Sequence, residues 1–192
     1  AALIFTSGIN IYILLAIFIA GASLLAYLII FVPKFDYIQG RIFSFFNRET
    51  GTHNFQSDKA IESITSGGFF GKGIGEGVLK NRVPEAHTDY IISVISEEFG
   101  VVAIMLILLL FLILIYMVFK KISFETNDKA KLILIGSISL ILMQATIHIG
   151  VNIRLFPTTG MTLPFLSYGG SSIISTSILA GIILNLTKRK IT

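Results

Sequence analysis

From Val101 to Phe119 the chain runs without a charged side chain. A helix needs roughly 20 residues, at 1.5 Å each, to cross the ~30 Å hydrocarbon core of a bilayer. Three further blocks have the same character: Ile9 to Val32, ended by Pro33; Leu132 to Val151; and Ile173 to Leu186, which reaches spanning length when Ser171, Ser172 and Thr187 are included. Backbone polar groups in hydrocarbon must be satisfied within their own segment, so such blocks read as helices. Composition agrees: 54% of the residues are hydrophobic, 14% are charged and the mean hydropathy is +0.84, where a soluble domain carries about 25% charged residues. The expected class is an all-α integral membrane protein. It is a polytopic helical bundle with about four transmembrane helices, over residues 9–32, 101–119, 132–151 and 171–187, and a long outer loop over 34–89.

The absence of Cys excludes a disulfide framework and thiolate metal sites. The net charge of +4 is small, and no Lys/Arg run is interleaved with stacking aromatics, so no nucleic-acid partner is expected. The first residues lack a basic segment followed by a cleavage site, so no signal peptide is expected. Residues 1–8 read as the tail of an earlier segment, and the opening Ala1-Ala2-Leu3 suggests a piece of something longer.

The connections differ in charge. Seven Lys/Arg are matched by seven Asp/Glu between Lys34 and Asp89, whereas Lys120, Lys121, Lys129 and Lys131 outnumber Glu125 and Asp128 in the short second connection. The tail ends in Lys188-Arg189-Lys190. The positive-inside rule then puts the second connection and the C-terminus in the cytoplasm, and the long loop and the Asn152–Gly170 connection outside. Within the long loop, Tyr37 to Phe46 has the spacing of a short interfacial helix. Gly51 to Asn54 reads as a turn, and Gln56 to Thr65 as another short helix ended by Gly67-Gly68. In the first span, Ala16, Ala20, Gly21, Ala22 and Ser23 form a seam of small residues open to close helix packing.

The chemistry-bearing residues cluster in the two outer connections. Glu85, His87 and Asp89 can move protons or hold a metal; equally, Asp89 or Thr88 can cap the helix that follows. The run Gly67, Gly68, Gly71, Gly73, Gly75 and Gly77 lets a backbone approach closely and offers N–H groups to phosphates, but it also suits a flexible turn-rich loop, and no P-loop order follows. Glu97 and Glu98 read as interfacial carboxylates marking the water boundary. Gln144, His148 and Asn152 recur every fourth residue as one polar stripe, suited to helix–helix hydrogen bonding. The stretch from Pro157 to Ser172 is too rich in Pro and Gly for a continuous helix and reads as a re-entrant element.

Together these residues resemble the SEDS family of bacterial cell-wall proteins, which includes FtsW, RodA and SpoVE. Pro84-Glu85-Ala86-His87-Thr88-Asp89, followed by Glu97-Glu98-Phe99-Gly100, is similar to the family's outer-loop motif. Thr162-Leu163-Pro164-Phe165-Leu166-Ser167-Tyr168-Gly169-Gly170-Ser171-Ser172 is similar to its second signature, and the glycine run to the segment between. Ala86 brings the chain nearer to the FtsW branch than to RodA. The match covers the whole chain, residues 1–192, but only the C-terminal part of a ten-helix family. The resemblance implies a peptidoglycan glycosyltransferase polymerising lipid II during cell division in the bacterial cytoplasmic membrane. The family's essential acid falls on Asp89, as general base or as ligand of a divalent cation such as Mg or Mn. Lys80, His87, Glu85, Lys72, Arg82, Arg154 and Ser167 are the implied substrate-binding residues, with a class B penicillin-binding protein and other division membrane proteins as partners. Thr159 departs from the Lys common at that position in FtsW, so that either Arg154 substitutes for it or that contact is absent. The rival readings are a lipid II flippase or transporter, with the polar stripe along its path, and a non-catalytic scaffold that recruits a transpeptidase.

Overall fold

The computed structural model describes residues 10–46, 52–83 and 86–188. Glu85, residues 1–8 and the tail beyond Lys188 lie outside these, as does the side chain of Lys80. The described residues are helical with connecting loops, and they fall into two compact units, residues 1–54 and 55–192.

In the first unit, helix α1 (Ile11–Phe31) starts where the Asn10 side chain accepts from the Tyr12 N–H at 3.1 Å. It ends at an extended Val32, the conformation that a residue before proline favours. A single 3₁₀ turn (Pro33–Phe35) leads into α2 (Asp36–Phe46), where Arg41 stacks 4.4 Å from the Tyr37 ring centroid. No residue of α1 is buried, as befits a face made for lipid or for another helix.

Most of α3 (Thr52–Gly67) belongs to the second unit, and because it starts at Thr52, residues 52–54 are helical where a turn was expected. A glycine-rich loop and the one-turn helix α4 (Leu79–Arg82) follow. Three long helices complete it: α5 (Ile91–Phe124), α6 (Asp128–Asn152) and α7 (Gly170–Thr187). With α1 they are long and apolar enough to cross a membrane. Helix α6 packs against both α5 and α7. Val118 of α5, Leu134, Ile138 and Ile141 of α6, and Ile183 of α7 form the core between them. A second apolar cluster lies at the other end, where Ala60, Leu79, Val83, Ala86 and Tyr90 meet Val94 and Val151.

Helix α5 starts at Ile91, well before the apolar block that announces it, because an arm (Ile91–Phe99) is joined to the long rod through a break at Gly100 (φ 78°, ψ −176°). An unbroken helix would run N–H bonds from Val101 and Val102 back to Glu97 and Glu98. Instead Val101 N–H donates to the Gly68 carbonyl (3.0 Å) and Val102 N–H to that of Phe69 (3.3 Å). The freed carbonyls of Glu97 and Glu98 accept from Lys72 N–H (2.8 Å) and Gly73 N–H (3.1 Å). The glycine-rich segment is thus inserted into the break as a splint. Its glycines are needed for closeness: a Cβ at Gly71 would stand 2.2 Å from the Glu98 carbonyl oxygen, and one at Gly67 2.0 Å from that of Ser96. Of the two roles open to this run, the structure shows close backbone approach to its own chain; the N–H groups of Lys72 and Gly73 are occupied.

Candidate active site

Three segments far apart in sequence meet around residues 87–89. The main-chain carbonyls of residues 87–89 face the end of α6 and the connection between α6 and α7, and are held one after another. His87 accepts from the Tyr168 N–H (3.1 Å), Thr88 from the Ser167 hydroxyl (2.8 Å), and Asp89 from Asn152 Nδ2 (3.0 Å). Ser167 is buried and also accepts from the Leu163 N–H (2.8 Å). The structure therefore makes it a fastener between the two signature segments.

Asn152 is wholly buried and its amide makes four hydrogen bonds. Nδ2 donates to Asp89 and to the His148 carbonyl (2.8 Å); Oδ1 accepts from the Ser93 N–H (3.1 Å) and hydroxyl (2.8 Å). Ser93 lies in the first turn of α5, where N–H groups lack partners within the helix. The N-cap position itself is Tyr90, with no side-chain cap bond. The capping expected from Asp89 or Thr88 is thus supplied in part from another helix, by Asn152.

The rest of the polar stripe does similar work. His148 Nδ1 donates to the Met161 carbonyl (2.8 Å), and Gln144 Nε2 reaches the Thr162 carbonyl (3.0 Å) and the Ser172 hydroxyl (3.1 Å). The expected helix–helix bonding is in fact mostly helix-to-loop bonding. It shapes the non-helical segment before α7, whose Leu163 packs on Ile92 and Ala145.

What this scaffold presents is the carboxyl of Asp89. The residue is half-buried, and its Oδ2 lies 3.8 Å from the position a Cβ at Gly160 (φ 70°) would take. His87 beside it is exposed. A carboxylate in this setting can accept a proton from a bound hydroxyl. Among the described residues no three His, Asp or Glu side chains gather closely enough to hold a metal ion.

The other candidates stand elsewhere. Arg154, in the left-handed region (φ 58°) at the end of α6, is ion-paired with Asp58. Lys72 Nζ binds Glu97 Oε1 (2.9 Å), and Glu97 Oε2 accepts from the Leu79 N–H (3.0 Å) at the start of α4. Glu97 is 2% exposed. It is a buried anchor for the glycine-rich loop and α4, where a carboxylate at the water boundary was expected. Lys72 and Arg82 line a polar cavity whose walls do not include Asp89. Asn152 and Gly160 were not singled out as site residues by sequence; the four-residue spacing of Gln144, His148 and Asn152 was the available signal for the first.

Comparison with known proteins bears on this arrangement. The family described as cell cycle protein, FtsW/RodA/SpoVE, matches residues 1–191. The chain is 37% identical over 183 residues to a protein of Enterococcus hirae and 39% identical over 158 residues to one of Caulobacter vibrioides, both named "Probable peptidoglycan glycosyltransferase FtsW". These alignments cover 90% and 81% of this chain but 46% and 40% of the relatives, so the chain spans about half the length of the curated relatives it matches. It also superimposes, with TM-score 0.72 and 28% identity, on a chain from a solved structure concerned with "structural coordination of polymerization and crosslinking by a peptidoglycan synthase complex". That likeness covers 97% of this chain and 51% of the other. By its two docked signature segments and by the family match along its length, the chain belongs to the FtsW/RodA/SpoVE family.

Proposed function

We propose that this chain carries the catalytic outer face of a membrane-embedded peptidoglycan glycosyltransferase that polymerises lipid II during division, with Asp89 as general base. The 4-hydroxyl of one sugar attacks the anomeric carbon of another. As the new C–O bond forms, Asp89 takes the hydroxyl proton, and the bond from the anomeric carbon to the diphosphate oxygen breaks, releasing undecaprenyl diphosphate. A placed base of this kind contributes about 10²–10⁴-fold to the rate.

The observation that carries the reading is the triple clamp on the carbonyls of residues 87–89, which fixes the backbone beneath a half-buried carboxyl. A base must be held within hydrogen-bond reach of the proton it removes, and misplacement by an ångström is costly. The transporter reading fares worse. The Asn152 amide has all four of its hydrogen bonds, and Gln144 and the Nδ1 of His148 are engaged with the loop, so most of the stripe is spent on the fold, and His148 Nε2, which has no partner among the described residues, is buried.

The cytoplasmic side is assigned to the Lys-rich α5–α6 connection and the C-terminus, and the extracytoplasmic side to the Asp89 loop. The partner is a class B penicillin-binding protein that cross-links the glycan. The likeness to a chain of a synthase complex supports a partner of this general kind.

The test uses the full-length protein with labelled lipid II. Asp89→Asn is expected to lower polymer formation at least 100-fold while expression and partner binding persist. Undiminished polymer from that variant overturns the base assignment. Lipid II moving between leaflets with no polymer made points to a transporter.

A further inference from the structure

Away from Asp89, between the C-terminal half of α3, the glycine-rich loop and α4, lies a polar cavity of ≈ 230 Å³. Three cations face it, Lys59, Lys72 and Arg82, against two carboxylates, Glu62 and Glu97. We infer that this cavity is a binding site for a phosphate-bearing anion.

The charges are not equivalent. Glu97 is buried and held on both oxygens, by Lys72 and by the Leu79 N–H, so its charge is met within the wall. Lys72 remains 37% exposed, with further donors on the same ammonium. Glu62 is 60% exposed and paired with Lys59 one helical turn away. Such a surface pair contributes little and exchanges readily for a stronger acceptor. Arg82 is exposed, and among the described residues it makes no hydrogen bond or ion pair. Its planar fork of donors suits phosphate oxygens. Lys59, by direct hydrogen bond, and then Arg82 and Lys72 through their charge, hold the Glu62 carboxyl below the usual carboxylate range. All three cations are therefore felt at one point in the cavity. The hydroxyl of Ser63 adds a neutral donor to the same wall. The wall as a whole carries three cations against two carboxylates, and an anion placed there meets Arg82, unpaired among the described residues, together with Lys59, which is held by the exposed Glu62.

This inference stands apart from the role of Asp89, and its test reads binding without turnover. The full-length protein is placed in nanodiscs of neutral lipid and titrated calorimetrically with inorganic diphosphate. In parallel it is placed in nanodiscs containing phosphatidylglycerol, and lipid contact is read by native mass spectrometry. Saturable binding of free diphosphate assigns the site to a soluble or leaving phosphate; retention of the anionic lipid alone assigns it to a headgroup. In either arm Arg82→Gln is expected to weaken binding about tenfold or more, the loss of a charge-assisted hydrogen bond. Glu62→Gln, which removes the competing carboxylate, is expected to tighten it. Both side chains are exposed, so neither change threatens folding. No binding in either arm, or binding indifferent to both substitutions, overturns the inference.

Discussion

Asn152 shows how much one side chain can hold. Its amide joins the main chain beneath Asp89, the first turn of α5 and the end of α6. Asn152→Leu is nearly the same size but leaves the Asp89 carbonyl and the Ser93 N–H and hydroxyl without their partner. Each orphaned buried group costs about 1–3 kcal/mol. A drop of at least that size in unfolding free energy is expected, with a larger loss of activity than of protein, since the site backbone is released first. Thermal denaturation alongside polymer yield checks this; a variant of unchanged stability contradicts the clamp. Asp89 was legible in the sequence through its motif, but the clamp was not. Its acceptors are main-chain carbonyls, and any residue type at 87–89 would present the same oxygens. The signal for Asn152 was its place on a polar stripe, which says that a group is satisfied but not by what.

At the scale of elements, the broken α5 is the least expected feature. Composition marks the rod, because nineteen residues from Val101 carry no charge. It marks the arm poorly, because Ser93, Ser96 and Glu97 look like surface but are buried. Ser93 is held by Asn152, and what hides Ser96 and Glu97 is the glycine-rich splint, a contact across some thirty residues of chain that no local pattern announces. Gly100 occupies a backbone region essentially closed to other residues, with strain of about 1–3 kcal/mol for a side chain. A Cβ there would also stand 2.2 Å from the Phe69 carbonyl oxygen. Gly100→Ala is therefore expected to destabilise by at least that amount and to raise hydrogen exchange at the amides of Lys72, Gly73, Val101 and Val102 together. Exchange confined to one side of the break would show that the two strands of the splint are not coupled.

For the molecule as a whole, the four apolar helices were readable from length and composition, and the family from two ordered motifs. The relation between the motifs follows from parity: two spanning helices, α5 and α6, separate the Asp89 loop from the Pro157–Gly169 loop, so both emerge on one side, where their hydrogen bonds join them. Which side that is rests on charge, and these 192 residues lend themselves to the measurement because they lack Cys. Single cysteines at the exposed positions Glu76 and Lys129 of the full-length protein, with any cysteines outside this chain replaced, are expected to react from opposite faces. A membrane-impermeant maleimide should label Glu76→Cys in intact cells and Lys129→Cys only after permeabilisation. The reverse pattern would put the carboxyl of Asp89 on the cytoplasmic side and end the proposed reaction.

The splint at Gly100 also bears on how such a chain can change over evolutionary time. Four polar groups of a membrane helix are answered, in fixed order, by residues 68, 69, 72 and 73. Inserting or deleting a single residue between Phe69 and Lys72 would slip two of these pairings out of phase while the other two held. Apart from Gly71, the side chains of this stretch can change, but its residue count behaves as a fixed spacing, unlike that of an ordinary surface loop, whose length drifts freely.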